Sequence, residues 1–233
     1  MRLINLYKRE NKQVNFAQDE DIGIAFEIIA DFKNKYISIY DKFAERTVKT
    51  FVNKTLSNSD KTVAKSLETM NSDKLKIKRN IQSKELDDTT EAIIKENLSL
   101  IKSIPEEFFK KLTFAMSQAI QNGQSLTQFK KELMKIKGMT ERRASLIARD
   151  QSNKAYNAIS RRKLQACGVT QFEWIHTGIS KVPRPYHKNV LNHNIFDLSK
   201  PPVIDTTTGE HGYPGQLINC RCMMRPVVSF EHK

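Results

Sequence analysis

Glycine and proline are scarce in this 233-residue chain, eight and seven in number, and most of them lie after Gly138. So few chain breakers before that point leave room for long helices, and their concentration afterwards marks a loop-rich back part. Three cysteines, Cys167, Cys220 and Cys222, cannot form a complete set of disulfides, so in a reducing compartment they are thiols or metal ligands. No stretch approaches the roughly 20 consecutive apolar residues that span a bilayer. Met1 to Lys8 begins like a secretory leader but lacks the apolar core of one, and the expectation is a chain that stays in the cytoplasm where it is made. Also missing are a Ser-His-Asp set, a phosphate loop and a dinucleotide fingerprint.

Positive charge, by contrast, is in excess: 39 Lys and Arg against 26 Asp and Glu give +13. That surplus favours a polyanionic partner, nucleic acid first and an acidic protein surface second. With 39% hydrophobic and 28% charged residues the chain is neither collagenous nor a membrane bundle, and it can bury a core without disulfide staples.

Residues 1–20 show no period and read as an arm. From Asp21, Phe26, Ile29, Phe32, Tyr36, Tyr40 and Phe43 recur three or four apart, which predicts an amphipathic helix to about Leu56. Ser57-Asn58-Ser59-Asp60 reads as a break, followed by a charged helical stretch over 60–84 that includes Lys74, Lys76, Lys78 and Arg79. Asp88 with Glu91 resembles a capping box, and Ser103-Ile104-Pro105 the opening of another helix with proline in the first turn. Ser125 with Gln128 would cap a short helix ending at Gly138, and Thr140 a longer one ending at Gly168. Val169 to His176 and Cys220 to Val228 have strand character around a proline- and glycine-rich loop. The expected fold is therefore α+β but mostly α: a long helical body with a small C-terminal α+β domain.

Two constellations carry chemistry. The helix after Thr140 holds Arg142, Arg143, Arg149, Lys154, Arg161, Arg162 and Lys163 against Glu141 and Asp150. Arg142 and Arg149 are seven apart and share a face that could track a phosphate path; the alternative is a solvated helix surface. No aromatics interleave with these cations, so any DNA contact would be to backbone and non-specific. Leu133 to Ile147 has the outline of a helix–hairpin–helix, but Thr140 stands where a second glycine belongs, and an αα-corner reads better. In the back part, Cys220 and Cys222 are two apart, so on a strand both sulfurs point the same way, and His187 and His211 lie in the same loop-rich region. A structural zinc held by these four is one reading and buried free thiols the other. His187, Asn192, His193 and Asn194 do not make a His-Asn-His nuclease, because Phe196 to Pro201 opens no helix with a second ligand set.

Taken in order, Arg142 to Gln151, Tyr156-Asn157, Gly168, Phe172-Glu173-Trp174, Thr177, Arg184-Pro185, His187, Leu191-Asn192, Pro201 to Asp205, Tyr213-Pro214-Gly215 and Asn219-Cys220-Arg221-Cys222 resemble the phage Mu protein F-like family of minor head proteins. The likeness spans about residues 115–229, leaves 21–114 a helical region without a named role, and puts the family signature on Arg149, His187, Cys220, Arg221 and Cys222. It departs from the family at Gly178-Ile179-Ser180, where relatives often have an acidic residue soon after the threonine, and at His193, where glycine is usual. The resemblance implies a minor capsid protein, not an enzyme, that assists head morphogenesis at the portal vertex. Its expected partners are the portal protein, capsid components and packaged double-stranded DNA, with no membrane. Its expected place is the phage head, after assembly in the host cytoplasm. Relatives fused to toxin modules such as ADP-ribosyltransferases suggest an alternative enzyme, which the short tail after Val228 argues against. A DNA-binding regulator using the Gly138 region is another.

Overall fold

A computed structural model describes residues 19–69, 83–122, 124, 126–179 and 182–228. Three long helices, α1 (Asp19–Thr69), α2 (Lys84–Gln121) and α3 (Leu126–Ala166), precede five short strands: β1 (Gln171–Ile175), β2 (Ile195–Asp197), β3 (Val203–Asp205), β4 (Glu210–His211) and β5 (Met223–Val227). The fold is mostly helical α+β, as the distribution of glycine and proline implied. The arm expected over 1–20, the Lys74 to Arg79 charges and the Ser125 cap lie outside the described residues, except that Asp19 and Glu20 already belong to α1.

The helices are fewer and longer than local signals predicted. Ser57 to Asp60 do not break α1, because two of the four polar residues find partners on α3. Ser59 is fully buried and shares a 2.9 Å hydrogen bond with Ser160, and Asp60 pairs with Lys163. The cap of α2 is Ser83, whose Oγ accepts the Leu86 N–H at 3.2 Å, rather than Asp88; Glu91 instead pairs with Lys95 at 2.6 Å. Pro105 lies inside α2, and Ser103 is no cap, since its hydroxyl donates to the Leu100 carbonyl at 2.8 Å. Likewise α3 runs unbroken through Gly138, and Thr140 donates to the Ile136 carbonyl one turn back at 3.0 Å. Among the described residues there is thus neither a hairpin nor a corner at Gly138.

Two compact units are assembled from separate stretches of chain. One joins residues up to Thr47 with Leu98–Ser145, the other Val48–Asn97 with everything from Leu146 on. In the first, Ile29 packs with Phe109, Met116 and Phe129, and Arg143 pairs with Glu107 at 3.0 Å. In the second, Val63, Leu67 and Leu164 from the helices meet Phe172, Trp174, Leu191 and Ile204 from the sheet region. Phe172 and Trp174 are fully buried, and removing such aromatics from water contributes about 2–3 kcal/mol each.

Antiparallel pairing gives a three-stranded sheet in the order β2-β1-β5 and a separate β3-β4 hairpin. Strand β1 is buried on both faces at its centre, which a charged residue tolerates only with partners. Glu173 has them: Arg225 stands opposite it on β5 and forms an ion pair, and the His193 Nδ1–H donates to it at 2.8 Å. These bonds, that from His193 first, hold the Glu173 carboxyl below its ordinary range. His193 sits at φ 64°, a left-handed conformation that disfavours side chains and that glycine adopts freely.

Candidate functional site

Helix α3 positions the site through three polar residues on one face. Asp150 accepts the Asn219 N–H at 2.8 Å, Asn153 donates its amide to the Cys220 carbonyl at 2.6 Å, and Asn157 donates to the Cys222 carbonyl at 3.5 Å. Spaced by three and four, they form a stripe along the helix that holds the Asn219 to Cys222 backbone in place. From the other side the Thr177 hydroxyl donates to the Arg221 carbonyl at 3.0 Å. Gly215 rests on the same stripe: at φ 81°, a Cβ there would come within 2.5 Å of Asn157 and 2.7 Å of Asn153. Glycine at 215 is therefore a packing requirement.

So held, Cys220 and Cys222 turn both sulfurs inward. His187 meets them from a one-turn π-helix, His187–Leu191. Its Nε2–H donates to the Ile204 carbonyl at 2.8 Å, which leaves the Nδ1 lone pair facing Cys220 Sγ at 3.5 Å and Cys222 Sγ at 3.8 Å. All three residues are at least nine-tenths buried, and the Trp174 ring lies edge-on to the imidazole at 5.1 Å. A hydrogen bond from the Cys222 thiol, helped by the backbone N–H groups of Cys222 and Gly215, brings Cys220 down to about 4. That same bond to Cys220, together with burial, pushes Cys222 up.

This group could hold a metal ion. Tetrahedral zinc with Zn–S near 2.3 Å and Zn–N near 2.05 Å requires N···S separations of about 3.5 Å, close to those observed, so the three residues would supply three of its four ligands. A ligating imidazole characteristically donates its other N–H to a carbonyl, as His187 does to Ile204. His211 does not join the group. It is exposed, and its Nδ1–H donates to the Pro201 carbonyl at 2.8 Å. Spacing alone does not separate the two histidines.

Most of the expected DNA-contacting cations on α3 are engaged within the protein. Arg143 pairs with Glu107 and donates to Ser103 at 3.0 Å. Lys154 pairs with Asp150 at 3.0 Å, and Arg162 donates to Thr89 at 3.1 Å. The Arg161 guanidinium lies 3.9 Å over the Tyr213 ring, and burial pulls it below the ordinary arginine range. Lys163, 1% exposed, donates to the Leu56 carbonyl at 2.8 Å and pairs with Asp60. Arg142 and Arg149 are exposed, although Arg149 too interacts within the protein. The Asp150, Asn153 and Asn157 clamp was not among the residues expected from sequence; its signal was polar residues at helical spacing on a face otherwise turned to the core.

Fold and site together define a helical α+β protein closed by a small sheet domain around a buried Cys₂His group. Residues 110–225 match the model of the family described as Phage Mu protein F like protein. Those residues form a Phage Mu protein F-like domain, of a family associated with phage head morphogenesis. Over 137 residues it is 30% identical to an uncharacterized protein of Haemophilus influenzae strain Rd, covering 59% of this chain and 29% of that protein. The chain therefore spans less than a third of that relative's length. No solved structure matches it. Among the described residues no helix is long and apolar enough to cross a membrane.

Proposed function

We propose that this chain is a minor head protein that acts without catalysis in head morphogenesis, at the portal vertex and in non-specific contact with packaged double-stranded DNA. Its partners on this reading are the portal protein and other capsid components, and its final place is the virion. The family domain over residues 110–225 carries the proposal. The charge of +13 supports an anionic neighbour. Within that domain the Cys220, Cys222 and His187 group serves as a structural zinc site, tying the segment before β5 to the π-helix. A structural role fits a small domain whose polar residues mostly hold one another.

The test is genetic and biochemical. In the phage or prophage that encodes it, deleting the gene should give heads that fail to assemble or fail to yield infectious particles. The polypeptide should be present in purified virions and should co-sediment with portal protein. Normal assembly without it, with virions lacking it, would overturn the proposal.

A further inference from the structure

Beside the Cys220 to Cys222 segment runs a groove of about 630 Å³, with Arg149 and Arg221 among its lining residues. We infer that this groove is a binding site for a phosphate group, and specifically for the backbone phosphates of duplex DNA. The inference rests on the DNA contact proposed above and assigns it to residues.

Three observations carry it. First, among the described residues the groove is lined by two guanidinium groups and by no carboxylate. Asp150, next to Arg149 in sequence, is buried and occupied on both oxygens, by the Asn219 N–H and by Lys154. Second, both cations stand on fixed backbone. Arg149 projects from α3, and Arg221 lies between two cysteines whose carbonyls are held by Asn153 and Asn157, while its own carbonyl is held by Thr177. Cys220 and Cys222 are buried, whereas Arg221 between them lines the groove. Third, Lys154, Arg161, Arg162 and Lys163 do not line the groove, so its charge comes from Arg149 and Arg221. Arginine is well matched to phosphate, since its planar fork gives two parallel N–H bonds and it stays charged at any physiological pH. Tyr156 belongs to the same lining. Such a site contacts backbone, not base edges, and so reads no sequence.

The experiment measures binding of the full chain to a fluorescent DNA duplex of mixed sequence, between about 50 and 200 mM salt. Each of Arg149→Gln and Arg221→Gln should lower the slope of log affinity against log salt by about one and weaken binding several-fold at low salt. Arg221→Lys should keep the slope. The charge-matched Lys65→Gln, on an exposed part of α1, should keep both slope and affinity. Thermal melts of each variant check that the fold is intact. If the wild-type chain binds duplex and neither arginine variant changes the slope, the groove assignment fails while the DNA contact stands. If the wild-type chain does not bind duplex, the DNA contact itself falls, and titration with inorganic phosphate decides the groove. Saturable binding lost in Arg221→Gln would retain it as an anion site, and no saturable binding would overturn it.

Discussion

His193 offsets the strain of its left-handed backbone with the hydrogen bond to Glu173. A non-glycine residue in that region costs roughly 1–2 kcal/mol, whereas glycine adopts it freely. His193→Ala discards the bond and keeps the strain; His193→Gly discards both. The glycine variant should therefore be more stable than the alanine variant by about 1 kcal/mol in urea denaturation. Its partner sets a pH dependence. Because the folded Glu173 carboxyl lies below its ordinary value of 4.5, the unfolded chain binds more protons in that range. The stabilisation it provides is complete above about pH 4.5 and disappears as pH falls through the lower folded value. Wild type should exceed Glu173→Gln in stability at neutral pH, and the two should converge on acidification, as followed by denaturation midpoints at a series of pH values.

At the scale of elements, the long helices show how tertiary partners override local stop signals. Gly138 lies within α3 at a φ that any residue adopts, and a Cβ there would meet nothing within 4 Å. Gly138→Ala should raise stability by about 1 kcal/mol by removing backbone freedom from the unfolded chain; a turn at this point would give the opposite sign. Lys163→Met, which strips Asp60 and the Leu56 carbonyl of their shared donor, should cost about 1–3 kcal/mol in chemical denaturation. It should leave the salt dependence of DNA binding unchanged, because that ammonium never reaches solvent. The helical faces were legible from the spacing of Phe26, Ile29, Phe32 and their successors, since burial of one face imposes its period on the sequence. The helix ends were not. Ser59 and Asp60 look like a break until Ser160 and Lys163, about a hundred residues away, are brought alongside, and no local pattern encodes that meeting. For the same reason the α3 charges were visible but their partners Glu107, Thr89 and Tyr213 were not. His187 and the two cysteines were legible by residue type, whereas exclusion of His211 needed the β3-β4 hairpin that turns its ring toward Pro201.

For the molecule as a whole, the buried Cys₂His group ties three parts of the chain that are distant in sequence: α3 through its asparagines, the π-helix through His187, and the segment leading into β5. Binding an ion there adds its free energy to the folded state alone. Native mass spectrometry should show about one zinc per chain, and Cys220→Ser should release it and lower the melting temperature. A metal-free preparation with unchanged melting would instead leave the cysteines as packed thiols. The one-residue spacing of that pair reaches further. Lengthening the segment between Cys220 and Cys222 by a single amino acid would reverse the side to which everything downstream points until the strand register recovered, so a sulfur would be swung toward solvent and its neighbour's cation toward the core. Metal affinity and anion affinity should therefore collapse together under insertion, yet separate cleanly under substitution.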